Sequence, residues 1–164
     1  MIEKARREYK EIANEIINHE EYIKLKQITH HSISRYDHCL RVSYYSFMVT
    51  KFLRLDYIAA TRAGLLHDFF LETYNPSNKA SLLIEHPNYA VENSKKYFEI
   101  NKKEEDIIRT HMFPITPTLP KYIESWIVCI TDDIAAFVEK YSVYKYKTCY
   151  LANFYFIFLF VFMK

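Results

Sequence analysis

Apolar residues recur at helical intervals from the first turn of the chain. Ile2, Ala5, Tyr9, Ile12 and Ile16 alternate spacings of three and four, one face of an amphipathic helix whose other face is charged. The pattern fades near His19-Glu20-Glu21, where the helix breaks or bends. The polar run Thr29-His30-His31-Ser32-Ile33-Ser34 offers turn and N-cap residues. A second helix then runs from about Arg35 to Arg54, with Leu40, Tyr44, Phe47, Met48 and Leu55 facing inward. Asp56 suits the N-cap of a third, which closes on the run Ala59-Ala60-Thr61-Arg62-Ala63-Gly64-Leu65-Leu66 and then His67-Asp68. The segment from Leu71 to Ser81, with Asn75-Pro76-Ser77-Asn78, reads as a loop. Pro87 suits the first turn of a helix continuing to about Tyr97, with His86 at or beside its cap. Another helix spans about Lys103 to His111 before Pro114, Pro117 and Pro120 impose an irregular connection. The last core helix, about Lys121 to Lys140, carries Trp126, Ile127, Ile130, Ile134 and Phe137.

The pattern changes once more at the end. From Leu151 to Met163 nearly every residue is apolar, with Asn153 interrupting. As helix, such a stretch reaches roughly 20 Å, short of the roughly 30 Å of a bilayer core. Three readings stay open for it: a segment packed on the domain or a dimer partner, a membrane-dipping anchor, or a terminus unrelated to function. The expected organisation is a single helical domain over 1–150 and an apolar, aromatic tail over 151–164.

Composition supports helices. A single glycine and five prolines are too few for the many tight turns of a sheet-rich fold. The expected class is all-α, a compact bundle of about six to seven helices with a hydrophobic C-terminal segment. The net charge of +2 is small and interspersed, so bulk nucleic-acid binding is not expected. Cys39, Cys129 and Cys149 are odd in number and form no CxxC pair, which argues against a disulfide framework and a thiolate zinc site. With the charged N-terminus, this fits a cytoplasmic protein, membrane-associated if the tail serves as an anchor.

His67-Asp68 closes a buried helix, where adjacent imidazole and carboxylate groups are costly unless something satisfies them. His38, His86, His111 and Asp132 complete a candidate set offering only nitrogen and carboxylate oxygen, which suits iron, manganese, zinc or magnesium. Six ligands exceed what one ion usually takes, and would suit two ions about 3.5–4 Å apart, with Asp68 bridging and a hydroxide between them. Blander roles compete. His86 can serve as a cap, His111 can answer the helix dipole, and Asp133 rivals Asp132. His19, His30 and His31 lie in polar surroundings and are read as solvated or loop residues. Arg41, three residues after His38, shares its helix face and could clamp a phosphate; Arg35 and Lys121 are further candidates.

Taken together, these residues resemble the HD-domain metal-dependent phosphohydrolase superfamily. Tyr36-Asp37-His38-Cys39-Leu40-Arg41-Val42 resembles its first histidine helix, and Ala63-Gly64-Leu65-Leu66-His67-Asp68 its signature. Ser125-Trp126-Ile127-Val128-Cys129-Ile130-Thr131-Asp132 resembles the helix bearing its final aspartate. The likeness covers about residues 32–141. It implies that His38, His67, Asp68 and Asp132 form the core quartet, and it favours Asp132 over Asp133. His86 and His111 fall where two-metal members carry further ligands, as in the small bacterial branch that includes dinucleoside tetraphosphate hydrolases. Phe69-Phe70 follow the His-Asp pair where cyclic-dinucleotide phosphodiesterases have glycine and lysine, which disfavours that activity.

The resulting expectation is a phosphohydrolase with a divalent-metal cofactor, two ions by ligand count, acting on a small phosphorylated substrate such as a nucleotide. Metal-activated hydroxide would attack phosphorus, with Asp68 and His67 at the catalytic centre. A different class of reading is a catalytically weak metal-binding module attached through its apolar tail, as a homodimer or by weak membrane contact. A structural reading, with the histidines as unrelated core residues, requires that the six side chains fail to converge.

Overall fold

The computed structural model describes residues 2–30, 33–71 and 79–141. Among these, helices account for almost all regular structure: α1 (Ile2–Ile17), α2 (Glu20–Ile23), α3 (Arg35–Phe52), α4 (Tyr57–Leu66), α5 (Lys79–Tyr97), α6 (Lys102–Thr110) and α7 over 123–141. A 3-10 turn, Lys24–Gln27, follows α2. The polar stretch before α3 also contains a minimal antiparallel pair, β1 (Thr29–His30) with β2 (Ile33–Ser34), in the register Thr29↔Ser34 and His30↔Ile33. The expected all-α bundle is what the chain forms.

The short α4 lies at the centre and packs against α1, α3, α5 and α6. Its sequence explains this position. Ala59, Ala60, Thr61, Ala63, Gly64, Leu65 and Leu66 are all buried, so the helix is small or apolar nearly all round. Gly64 is where this matters most. A methyl group there would lie 2.9 Å from the Cα of Ser43, so α3 and α4 approach at backbone contact. Ser43 seals the crossing by donating its hydroxyl to the Thr61 carbonyl at 2.8 Å. Arg62, the charged residue on α4, reaches the rim and joins Glu104 and Glu15 at 2.8 Å and the Glu99 carbonyl at 3.0 Å.

Caps fix the helix starts. Ser34 accepts from the Asp37 amide and Asp56 from the Ala59 amide, each at 3.0 Å. Asn101 and Glu104 form a reciprocal capping box on α6. Glu124 ties α7 to the rest, accepting from the Asp56 amide and the Lys103 ammonium at 3.0 Å. His19, expected to be solvated, instead caps α2 through the Glu21 amide and packs its ring 4.9 Å from that of Phe98.

Three sequence expectations about these helices are corrected. Helix α5 begins at Lys79, not at Pro87, so His86 is an interior residue and no cap, and Pro87 sits inside the helix. The missing proline N–H removes one helix bond, and the helix continues nevertheless. The face of α7 is also reversed. Ile130, Ile134 and Phe137 are 53%, 57% and 69% exposed, and Trp126 is on the outside too, while Ser125, Val128, Cys129, Asp132, Ala135 and Glu139 are buried. Met48 on α3 likewise faces outward. The expected loop at Asn75-Pro76-Ser77-Asn78, His31, and the apolar tail over 151–163 lie outside the described residues. No helix among those described is long and apolar enough to cross a membrane.

The α3–α4 contact yields a stability test. Gly64→Ala should improve intrinsic helix propensity yet still lower stability by about 1–3 kcal/mol, because the new methyl meets backbone. Chemical denaturation would measure it, and an unchanged or raised stability would contradict the close approach.

Candidate metal centre

Five helices deliver six side chains to one buried locus. His38 comes from the second turn of α3, His86 from the middle of α5 and Asp132 from the middle of α7. His67 and His111 are the C-cap residues of α4 and α6. Asp68 follows His67. All six are buried, and they fall into three overlapping groups whose ligand atoms lie within 4.8 Å of one another: His38 with His67 and Asp68, His67 with His111 and Asp132, and Asp68 with His86 and His111. Every residue proposed as a ligand from sequence is therefore brought together. Asp133, the rival of Asp132, is exposed.

Helix ends orient the rings. His67 places Nδ1 2.8 Å from the Gly64 carbonyl, and His111 places Nδ1 2.8 Å from that of Ile108. These are carbonyls of a final helical turn that lack a partner within the helix, so each histidine caps its own helix with one ring nitrogen and offers the other to the centre. The capping and ligand readings of His111 are thus compatible. His86 is oriented in a similar way from the interior of α5, with Nδ1 3.1 Å from the Leu82 carbonyl, although it caps no helix end. A carbonyl only accepts, so these three Nδ1 atoms carry the proton and each Nε2 is turned inward, where the neutral ring presents a lone pair.

This arrangement is a direct test of whether a cation fits. His86 Nε2 and His111 Nε2 are 2.9 Å apart, two acceptors facing one another. Asp68 Oδ1 stands 3.2 Å from the first and 3.7 Å from the second, another acceptor. The buried atoms His67 Nε2 and Asp68 Oδ1 have no hydrogen-bond partner. Converging buried lone pairs repel one another and cost free energy, and a divalent cation satisfies them all at once. The residues present fit a metal. Among the described residues, the metal-competent groups contain no cysteine. Burial pushes the Cys39 thiol well up and that of Cys129 up to about 11, so neither is a thiolate.

The electrostatics of the centre are polarised. Burial pushes His38 down, but hydrogen bonds to Asp132 and Glu139 outweigh it and raise the ring to about 10. Burial would raise Asp132, yet the charge of His67 and the bond from His38 hold it below the usual carboxylate range. Asp68 is likewise held well below that range, burial being overcome by His86, His67 and His111. His111 moves the other way, down to about 3, through burial and then the neighbouring charges of His67 and His86. Both carboxylates are ionised and His111 is neutral, as metal ligands must be, whereas His38 and His67 are both raised by the neighbouring carboxylates and hold protons that an arriving cation would displace.

The proposed substrate-binding residues separate. Arg35 is buried, donates to the Phe70 carbonyl at 2.7 Å, stacks 3.8 Å over the Phe70 ring and lies 4.0 Å from Asp68. It braces the chain leaving the His-Asp pair. Arg41 is partly exposed and pairs with Glu139 at 2.8 Å. Lys121 is exposed and lines a cleft of about 360 Å³ with Lys102, Glu105, Asp106, Arg109, Thr118 and Tyr122, none of them a member of the histidine cluster. Glu139 was missed in the sequence. Its buried carboxylate sits 3.0 Å and 3.2 Å from His38 Nδ1. The available signal was its position seven residues, two helical turns, after Asp132.

A family model described as HD domain matches residues 35–136, more than half of the chain and every ligand candidate. No curated protein and no solved structure matches the chain.

The raised His38 value gives a pH prediction for the metal-free protein. Its folded value of about 10 exceeds the ordinary 6.5, so the folded state keeps a proton that the unfolded chain has lost. The associated stability is complete below about pH 6.5 and is lost as pH rises towards 10. The melting temperature of metal-free protein should fall between pH 7 and 10, and His38→Gln should flatten that fall. A wild-type profile that stays level across this window would contradict the assignment.

Proposed function

The chain belongs to the HD-domain family of metal-dependent phosphohydrolases, and from that premise we propose that it hydrolyses a phosphoester bond in a small phosphorylated substrate, a nucleotide being the preferred class. The observation that carries this reading is the convergence of buried acceptor atoms from His38, His67, Asp68, His86, His111 and Asp132, two of them without any hydrogen-bond partner. Those six residues would hold the metal, and their number supports two ions. Bound divalent cations supply Lewis acidity, lowering the pKa of a water towards neutrality and offsetting negative charge on phosphoryl oxygens.

The chain's own residues supply the rest. Asp68 turns Oδ1 toward His86 and His111 and Oδ2 toward the buried Arg35 guanidinium. Phe69 and Phe70 continue from it into the buried interior, and Phe70 packs 5.3 Å from the His86 ring, which limits water on that flank. Asp132 is ionised beside His38 and His67, and its Oδ1 faces both rings, which orients them toward the cluster. Arg41 is the side chain suited to a substrate phosphate, since its guanidinium is partly exposed and lies one turn from His38. Arg35, buried and bonded to the Phe70 carbonyl, is better suited to holding the chain after Asp68 than to direct contact with substrate.

A catalytically weak metal-binding module is the second reading, favoured by the exposed apolar residues of α7, which suit attachment to a partner. Asp68→Ala separates the two. For a hydrolase, elemental analysis should show loss of metal and a panel of nucleotide phosphoesters should show turnover reduced to background. Asp133→Ala should retain both. Metal-loaded wild-type protein that turns over no phosphoester in the panel would favour the module.

A further inference from the structure

The ring of His38 is held differently from the other three histidines. His67, His86 and His111 send Nδ1 to main-chain carbonyls, whereas His38 Nδ1 faces the carboxylate of Glu139. Oε2 lies at 3.0 Å and Oε1 at 3.2 Å. On the opposite edge of the ring, Nε2 meets Asp132 Oδ1 at 2.8 Å. Asp132 and Glu139 stand two turns apart on one face of α7, so a single helix grips the imidazole from both sides. A buried carboxylate needs its own partner, and Glu139 Oε1 receives Arg41 Nη1 at 2.8 Å.

We propose that Glu139 is a positioning residue for the metal centre: it fixes His38 with Nδ1–H toward itself and Nε2 toward the cluster, and Arg41 anchors it in that pose. The assignment rests on the reading of the six residues as a metal site. A carboxylate behind a ligating histidine sets its tautomer and raises its basicity, and loss of such a partner typically costs about 10–100-fold in metal affinity. The carboxylate is specifically required, because both of its oxygens are used. An amide has one accepting oxygen and an NH2 group, so glutamine must turn a donor toward either His38 or Arg41.

The test is calorimetric titration of Mn2+ alone into the metal-free full chain, with melting temperatures recorded alongside. Glu139→Ala should weaken Mn2+ binding by about 10–100-fold. The near-isosteric Glu139→Gln should weaken it by a smaller factor, and keeps the question answerable if the alanine variant does not fold. Glu124→Gln serves as the control for a structural effect, since Glu124 is a buried acid that bonds the Asp56 amide and Lys103 away from the cluster. It should lower the melting temperature and leave Mn2+ affinity unchanged. Glu139 variants that bind Mn2+ as the wild type does, or a Glu124→Gln variant that loses as much affinity as Glu139→Gln, would overturn the proposal while leaving the metal site standing. Wild-type protein that takes up no Mn2+ would overturn the metal reading itself, and the role of Glu139 with it.

Discussion

Lone pairs that face one another inside a packed bundle are the constraint on which the rest of this structure turns. His86 Nε2 and His111 Nε2 approach to 2.9 Å while their protons point outward to carbonyls, and Asp68 adds an anionic oxygen to the same space. A hydrophobic core does not tolerate such a group without compensation. Part of the compensation is internal, as the pairing of His38 with Asp132 and Glu139 shows. The orphaned His67 Nε2 and Asp68 Oδ1 mark where internal compensation stops. Binding of a metal at these residues would therefore be coupled to the stability of the bundle's interior.

Meeting that constraint demands a particular kind of scaffold. The cluster draws on α3, α4, α5, α6 and α7, so several helix axes must approach closely around one point. Small side chains on α4 permit this. Gly64 lets Ser43 of α3 come to backbone contact, and the alanines at 59, 60 and 63 fill the remaining central layer. The helix then ends where the site begins, and its terminal carbonyls become the groups that orient His67. Local helix termination and ligand orientation are one event, repeated at the end of α6 with His111.

Much of this was legible in the chain because several candidate ligands sit at punctuation marks or in plainly helical segments. His67 and His111 follow runs that end helices, Asp56 and Ser34 are caps of ordinary type, and His38 with Asp132 falls in segments whose helical character is plain. What could not be read has a common cause, namely that one-dimensional patterns do not reveal what a helix packs against. Pro87 signals a helix start by its chemistry, yet α5 passes through it. Arg35 resembles a surface cation at a helix start, but its first turn is covered by Phe70. Glu139 is an acid in a stretch with Lys140, indistinguishable there from a solvated residue. Lys121 follows a proline-rich connection and belongs to a different cleft.

The reversed face of α7 is the most instructive of these cases. Its apolar residues at 130, 134 and 137 have the spacing of a core stripe, and the usual rule turns them inward. The opposite stripe, Ser125, Asp132 and Glu139 at intervals of seven, is what the bundle takes in. Ser125 donates to Asp106 on α6 at 2.7 Å, Asp132 meets His38 and His67, and Glu139 meets His38 and Arg41. Each inward polar group has a specific partner, so its desolvation is offset by charge-assisted bonds. Small residues beside them, Val128, Cys129 and Ala135, allow the helix close enough for those bonds to form. The stripe of α7 that hands carboxylates to the buried histidines packs inward, and the aliphatic stripe on the other side of the helix faces out.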